Sequence, residues 1–304
     1  MKNIIAVDLG GTNLRLGLLD QSCKIRYKKV LSTKRFPRKE DLINTIVDSI
    51  NKIIKDKNIK KACIQGIGLG LPGPIDAQKG IVHFFPNIPG WKEVRLRAIL
   101  EKRLGLPVYL DNDANLMALA EFYRGAAKGA RNAVCLTLGT GVGGGIILDE
   151  RLYRGSTFNA GEIGHIPINE NGPLCNCGSR ACIETYVGNM RIIREAEKIF
   201  KRRISLEEVS ALAKKGNKRA LRLWQDAGRR LGIALSGVVN LLNPDIIVIG
   251  GGVAGAGAEL FKNIRLAIRQ RAMRVQAKHV KVRTAKLGSD AGLIGAGLLV
   301  RQGV

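Results

Sequence analysis

The chain has few aromatic and few acidic residues. Phe, Trp and Tyr make up 5% of its 304 residues, and 25 Asp and Glu stand against 50 Lys and Arg, a net charge of +25. Rings this scarce, and not interleaved with the basic runs, lend little support to base stacking, so the charge alone does not make a nucleic-acid binder. With nine prolines, 45% hydrophobic and 25% charged residues, the composition excludes a disordered or fibrous chain. Long apolar runs are also missing. The longest stretch without a charged side chain, 132–148, has 17 residues and contains five glycines, whereas a spanning helix needs about 20 mainly apolar ones. The N-terminal apolar run stops at Asp8 after four residues, too short for a signal peptide, so the expected location is the cytoplasm.

Six cysteines in a chain of this size, without a secretion signal, argue against a disulfide scaffold. Three of them, Cys175, Cys177 and Cys182, fall within eight residues. The excess of positive charge peaks over 262–286, which holds nine Lys or Arg and no acid. That run fits either an acidic partner surface or a solvated basic face beside an anionic substrate.

A length of 304 residues favours two compact units over one. Strand patterns over 4–7 and 14–19 flank the turn Gly10-Gly11-Thr12; offsets of three and four predict a helix over 41–54; apolar runs predict strands over 62–71 and 107–110, the last followed by a helix over 114–124. The second half restarts the pattern: a strand over 133–138, the run GTGVGGG and a strand over 146–148. A long helical region over 189–242 follows, broken near Gly216, then a strand over 246–249, a helix to about 273, a strand over 280–284 and a helix over 291–301. AVDLGGTNLRLGLL and VCLTLGTGVGGGIIL share an outline, so two lobes with related α/β cores are expected.

GxGxxG occurs at Gly68–Gly73, Gly139–Gly144 and Gly250–Gly255. None has the full dinucleotide setting: the first is interrupted by Pro72, the second runs into a strand, and the third has no acid between Glu259 and Asp290. GxxxxGK[ST] is absent, which excludes a P-loop. What remains are glycine turns after strands, which either face anionic oxygens with their N–H groups or merely close hairpins. Asp8, where a strand meets such a turn, either holds hydrated Mg²⁺ beside phosphates or caps the turn.

Taken in order, DLGGTN (8–13), PNIPGW (86–91), LDNDAN (110–115), LGTGVGGG (138–145), AGEIGH (160–165), CNCGSRACIE (175–184) and DIIVIGGG (245–252) resemble the segments of the ROK family of sugar kinases. The resemblance implies the two-lobed actin-like ATPase (ribonuclease H-like) α/β fold. The small lobe is expected over 1–112 with the last helix at 290–304, and the large lobe over 113–289. ATP and sugar would share the cleft, with lobe closure excluding water. The family's repressors carry a helix-turn-helix ahead of this body. With a first strand at Ile4, an enzyme is the expectation here.

By that resemblance Asp113 is the base that accepts the hydroxyl proton; read alone, without the surrounding motifs, it is a helix N-cap. Gly73, Asn87, Asn112, Glu162, His165 and Glu184 correspond to the sugar ligands. Asp8, Gly10, Gly11, Thr12, Asn13, Gly139, Thr140, Gly141, Gly251 and Gly252 correspond to the ATP and Mg²⁺ segments. His165, Cys175, Cys177 and Cys182, spaced H-x9-C-x-C-x4-C, are a candidate structural Zn²⁺ site, against the alternative of ordinary buried thiols. Cys23, Cys63 and Cys135 lie in or beside apolar strands and are expected in the core. The expected reaction is ATP-dependent 6-phosphorylation of a hexose, glucose first. An N-acetylhexosamine kinase and a sugar-sensing nucleic-acid binder are the alternatives. The expected assembly is a homodimer or homotetramer away from membranes.

Overall fold

The computed structural model describes residues 2–33, 36, 38–85 and 90–303. Its chain separates into two compact units. The first comprises 1–120, 153–160 and 289–304; the second comprises 121–152 and 161–288. The division falls inside a helix, eight residues beyond Asn112, and the excursion 153–160 has no counterpart in the sequence reading.

The first unit is built on a five-stranded sheet: β1 (Asn3–Leu9), β2 (Asn13–Leu19), β3 (Ile25–Ser32), β4 (Ile64–Leu71) and β8 (Val108–Asn112), in the order β3-β2-β1-β4-β8. β1, β2 and β3 are antiparallel, while β4 and β8 run parallel to β1. A second small sheet orders β5 (Ile75–Asp76), β6 (Ile81–Phe84) and β7 (Lys92–Val94). Helices α1 (Lys39–Asp56) and α2 (Leu96–Leu104) contribute Leu42, Ile46, Ile50, Leu96 and Leu100 to a core shared with Ile5, Val7, Ile67 and Leu69.

The other face of this sheet receives the last helix, α10 (Ala291–Gln302). Alternation along β4 (IQGIGLGL) sends Ile67, Leu69 and Leu71 into the core and leaves glycines opposite. A Cβ at Gly68 would lie 2.1 Å from the Ala296 carbonyl oxygen. The first GxGxxG match is therefore largely strand, bare because a helix backbone rests on it.

In the second unit β9 (Ala133–Leu138), β10 (Val142–Leu148), β11 (Arg151–Tyr153), β12 (Ile246–Gly250) and β13 (Lys281–Thr284) form a sheet ordered β11-β10-β9-β12-β13. In each five-stranded sheet the order is third, second, first, fourth, fifth, with the last two strands parallel to the first. The repeat read from the sequence is thus a repeat of topology. Helix α3 (Asp113–Arg124) carries the chain from one unit into the next. Its Glu121, fully buried, accepts hydrogen bonds from the backbone N–H groups of Ala126, Lys286 and Leu287.

The remaining helices are α4 (Glu184–Val187), α5 (Asn189–Phe200), α6 (Leu206–Lys214), α7 (Lys218–Leu242), α8 (Ala258–Arg271) and α9 (Arg274–His279). The single break expected near Gly216 is one of two. Lys201 turns the chain with φ 53°, and Ser205 with Glu208 forms a capping box that opens α6; Gly216 has φ 80°, and Asn217 caps α7. Strand β3, whose residues alternate half-buried and exposed and carry three cations, lies where the sequence shows only a polar, basic stretch. Cys23 and Cys135 are buried as expected, but Cys63 is only half-buried, on a 3-10 turn. Among the described residues no helix is long and apolar enough to cross a membrane.

Candidate active site

In the first unit the registers Asp8↔Gly70 and Gly70↔Asp111 place the two carboxylates two strands apart at the carboxyl end of the parallel strands, about 10 Å between backbones. That end of an open α/β sheet is the usual ligand side. Asp8 shares a strand face with Ile4 and Ala6, the face that α10 covers, and is 7% exposed. Its Oδ2 accepts from Arg15 Nη1 at 3.1 Å. Burial pushes the Asp8 carboxyl above its ordinary range, and Arg15 opposes that rise. A divalent cation would relieve the same burial cost, so Asp8 fits a hydrated Mg²⁺. The following turn is closed by Gly10 N donating to Asn13 O at 2.9 Å, with Thr33 bonded to Gly11 and Thr12 behind it. Gly11 and Thr12 are exposed, so the turn is open to a ligand.

β8 ends at Asn112, and Asp113 opens α3. Asn112 Oδ1 accepts from Ala114 N at 2.9 Å, and its Nδ2 donates to Gly73 O at 3.1 Å, joining two of the expected sugar segments. Asp113 Oδ1 accepts from Ala114 N at 2.8 Å. The capping work therefore falls partly on Asn112. Behind this junction Asp111, 2% exposed, accepts from Asn112 N, Asn115 Nδ2 and Arg154 Nε. Asn87 lies outside the described residues.

In the second unit the run GTGVGGG divides in two. Gly139–Gly141 is a turn, with Gly139 N donating to Gly141 O at 2.9 Å; Gly143–Gly145 are strand. The strand glycines admit the segment 161–164: a Cβ at Gly144 would lie 2.3 Å from Gly161 O, and Gly161 has φ 95°. This close approach fixes Glu162 and His165 beside β10. Glu184, at the start of α4, accepts from Val142 N at 2.9 Å, and a Cβ at Gly141 would lie 2.3 Å from its Oε2. An expected sugar ligand thus touches an expected phosphate turn. Removal from water pushes the Glu162 carboxyl above its ordinary range; Glu184 adds to the rise, and His165 opposes it. Asn189 N donates to Gly139 O, and its side chain lies beside Gly252, so α5 begins between two of the expected nucleotide segments. Gly251 has φ 87°, and Gly251 and Gly252 are exposed.

His165, Cys175, Cys177 and Cys182 present ligand atoms that all lie within 4.8 Å of one another. Cys177 Sγ and Cys182 Sγ are 3.7 Å apart, and Cys175 Sγ is 3.6 Å from His165 Nδ1. Two thiolates on one tetrahedral Zn²⁺ sit about 3.8 Å apart, so the donor set fits zinc in both geometry and softness. His165 turns its other nitrogen, Nε2, toward Glu162 Oε2 at 3.7 Å. Arg15, Glu121, Arg154 and Asn189 carry no motif that marks them in the sequence; each meets a partner that spacing does not reveal.

The ROK family profile matches residues 4–303. The chain belongs to the ROK family. A glucokinase of Halalkalibacterium halodurans is 37% identical over 98% of this chain and 94% of its own. A xylose repressor of Caldicellulosiruptor bescii is 31% identical over 96% of this chain and 76% of its own. Among solved structures, a ROK family glucokinase of Streptomyces griseus in complex with glucose and AMPPNP superposes with a TM-score of 0.84 at 32% identity, covering 99% of both chains. This ROK chain accordingly has the actin-like ATPase fold, and its two five-stranded sheets are that fold's repeated core.

Proposed function

We propose that this ROK protein is a glucokinase, transferring the γ-phosphoryl group of ATP to the 6-hydroxyl of glucose in the cytoplasm. The observation that carries the reading is the junction Asp111-Asn112-Asp113. A carboxylate opens a helix at the carboxyl end of parallel strands, next to an amide tied to Gly73. Relatives named glucokinase that match nearly the full chain support it.

In this reading Asp113 accepts the proton of the 6-hydroxyl as the new P–O bond forms and the β–γ bridge bond breaks, with ADP leaving. Asn112, Gly73, Asn87, Glu162, His165 and Glu184 hold the sugar hydroxyls, since carboxylates accept and amides both donate and accept. The turns Gly10–Asn13 and Gly139–Gly141 offer backbone N–H groups to the phosphates, and Gly251 and Gly252 flank the adenosine. Asp8 would hold hydrated Mg²⁺, which when bound neutralises phosphate charge. His165, Cys175, Cys177 and Cys182 would hold Zn²⁺, which supplies a fixed cross-link; His165 then keeps Nε2 for a sugar hydroxyl. A homodimer or homotetramer is the proposed assembly.

A coupled ADP-release assay across a sugar panel tests this. MgATP-dependent turnover with glucose is expected. Turnover with N-acetylmannosamine or N-acetylglucosamine and not glucose overturns the choice of sugar. A second reading, a sugar-responsive nucleic-acid binder, draws on the nine cations of 262–286: all are exposed, and none forms an ion pair among the described residues. It predicts salt-sensitive retention of DNA and no turnover.

A further inference from the structure

We infer that Arg154 is a positioning residue for phosphoryl transfer, acting through Asp111 on the Asn112–Asp113 junction; the inference rests on the kinase reading above. Residues 153–160 belong to the first unit, although the chain on both sides of them belongs to the second. Arg154 is what anchors this excursion. Its Nε donates to Asp111 Oδ2 at 2.8 Å, with side chains 16% and 2% exposed. Asp111 Oδ1 accepts from Asn112 N at 2.7 Å and from Asn115 Nδ2 at 2.8 Å. Asn112 in turn holds Ala114 N and Gly73 O. One guanidinium thus fixes the carboxylate that sets where strand β8 stops and where Asp113 projects.

The backbone of the same residue closes the loop itself. Arg154 O accepts from Ala160 N at 3.0 Å, closing the loop that leads directly into Gly161, Glu162 and His165. Arg154 therefore ties the loop 154–160 to the strand ending in the proposed base. A buried ion pair contributes little stability over an apolar pair of equal volume; its distinctive effect is to hold two chain segments in one register. A carboxylate displaced by about 1 Å can cost about 100-fold in rate, so register is what this pair protects.

The test is steady-state kinetics of the full chain with glucose and MgATP for Arg154→Met and Arg154→Lys, with thermal melts alongside. Arg154→Met is expected to lower kcat by about 30-fold or more while the KM for ATP stays within about 2-fold, and Arg154→Lys, which keeps a cation beside Asp111, to recover kcat to within about 5-fold of wild type. A purely structural role would lower the melting temperature and the active fraction without this split or the rescue. Arg154→Met with wild-type kcat, or Arg154→Lys no better than Arg154→Met, overturns the inference. If Arg154→Met loses its cooperative melt, Arg154→Lys decides: a loss in kcat at constant KM for ATP supports it, and a loss in KM for ATP alone overturns it. Wild-type protein with no turnover on any sugar overturns the kinase reading itself, a different result from an active wild type with indifferent variants.

Discussion

Gly292 lies directly against the Asp8 carboxylate: a Cβ at position 292 would sit 2.4 Å from Asp8 Cγ and 2.5 Å from its Oδ1. The first turn of α10 thus meets the carboxylate proposed to hold Mg²⁺, and the N-terminal helix dipole favours its ionised form. Gly292→Ala gains up to about 1 kcal/mol of helix propensity but forces the carboxylate aside at an overpacking cost of about 1–3 kcal/mol. The expected outcome is a lower melting temperature and a raised KM for MgATP, with the KM for glucose little changed. Thermal melts and kinetics check it; a more stable variant with normal ATP kinetics contradicts the arrangement.

Asp113→Asn keeps the shape of the α3 start and its bond to Ala114 N but removes the proton acceptor. General-base removal is worth about 100- to 10,000-fold, so kcat should fall at least 100-fold while glucose affinity, read by calorimetry, stays within about 3-fold. Near-normal turnover would exclude Asp113 as the base.

Metal analysis of protein purified in reducing, chelator-free buffer should find one zinc per chain. Cys182→Ser, which removes a fully buried member of the candidate ligand set, should release it and lower the melting temperature. Full thermal stability after zinc removal would reduce the cluster to three neighbouring thiols.

Asp20 gathers the Ser22 hydroxyl and N–H, Lys24 N and Arg26 Nε around one carboxylate, and the Ser22 hydroxyl foremost holds its pKa down, from 3.8 to about 2. A lowered carboxyl contributes stability above its unfolded value and loses it as pH falls toward the folded one. The gap in urea midpoint between wild type and Asp20→Asn should therefore be full at pH 6, shrink below pH 4 and close near pH 2. A gap constant over that range would mean that the bonds around Asp20 do not depend on its charge.

Much of the candidate site was legible because it lies in local segments. DLGGTN, LDNDAN and CNCGSRACIE each place a turn, a strand end or a cluster of thiols within a few residues, where spacing alone constrains geometry. Glycine told less. Gly10 and Gly139 mark turns, but Gly68 and Gly144 are bare so that a helix and the 161–164 segment can approach, and the sequence alone does not distinguish the two uses. Strand β3 was missed because an edge strand buries only half of each alternate residue and reads as a basic linker.

Hydrophobic period and short-range spacing are properties of neighbouring residues, and they were enough to give the doubled α/β pattern, the family and the candidate ligand sets. Folding was needed to bring Arg154 to Asp111 across 43 positions, to press Gly292 of α10 on Asp8, and to assign 153–160 to the first unit. Those are pairings of charge and volume between segments far apart in the chain, and only packing brings them within reach of each other.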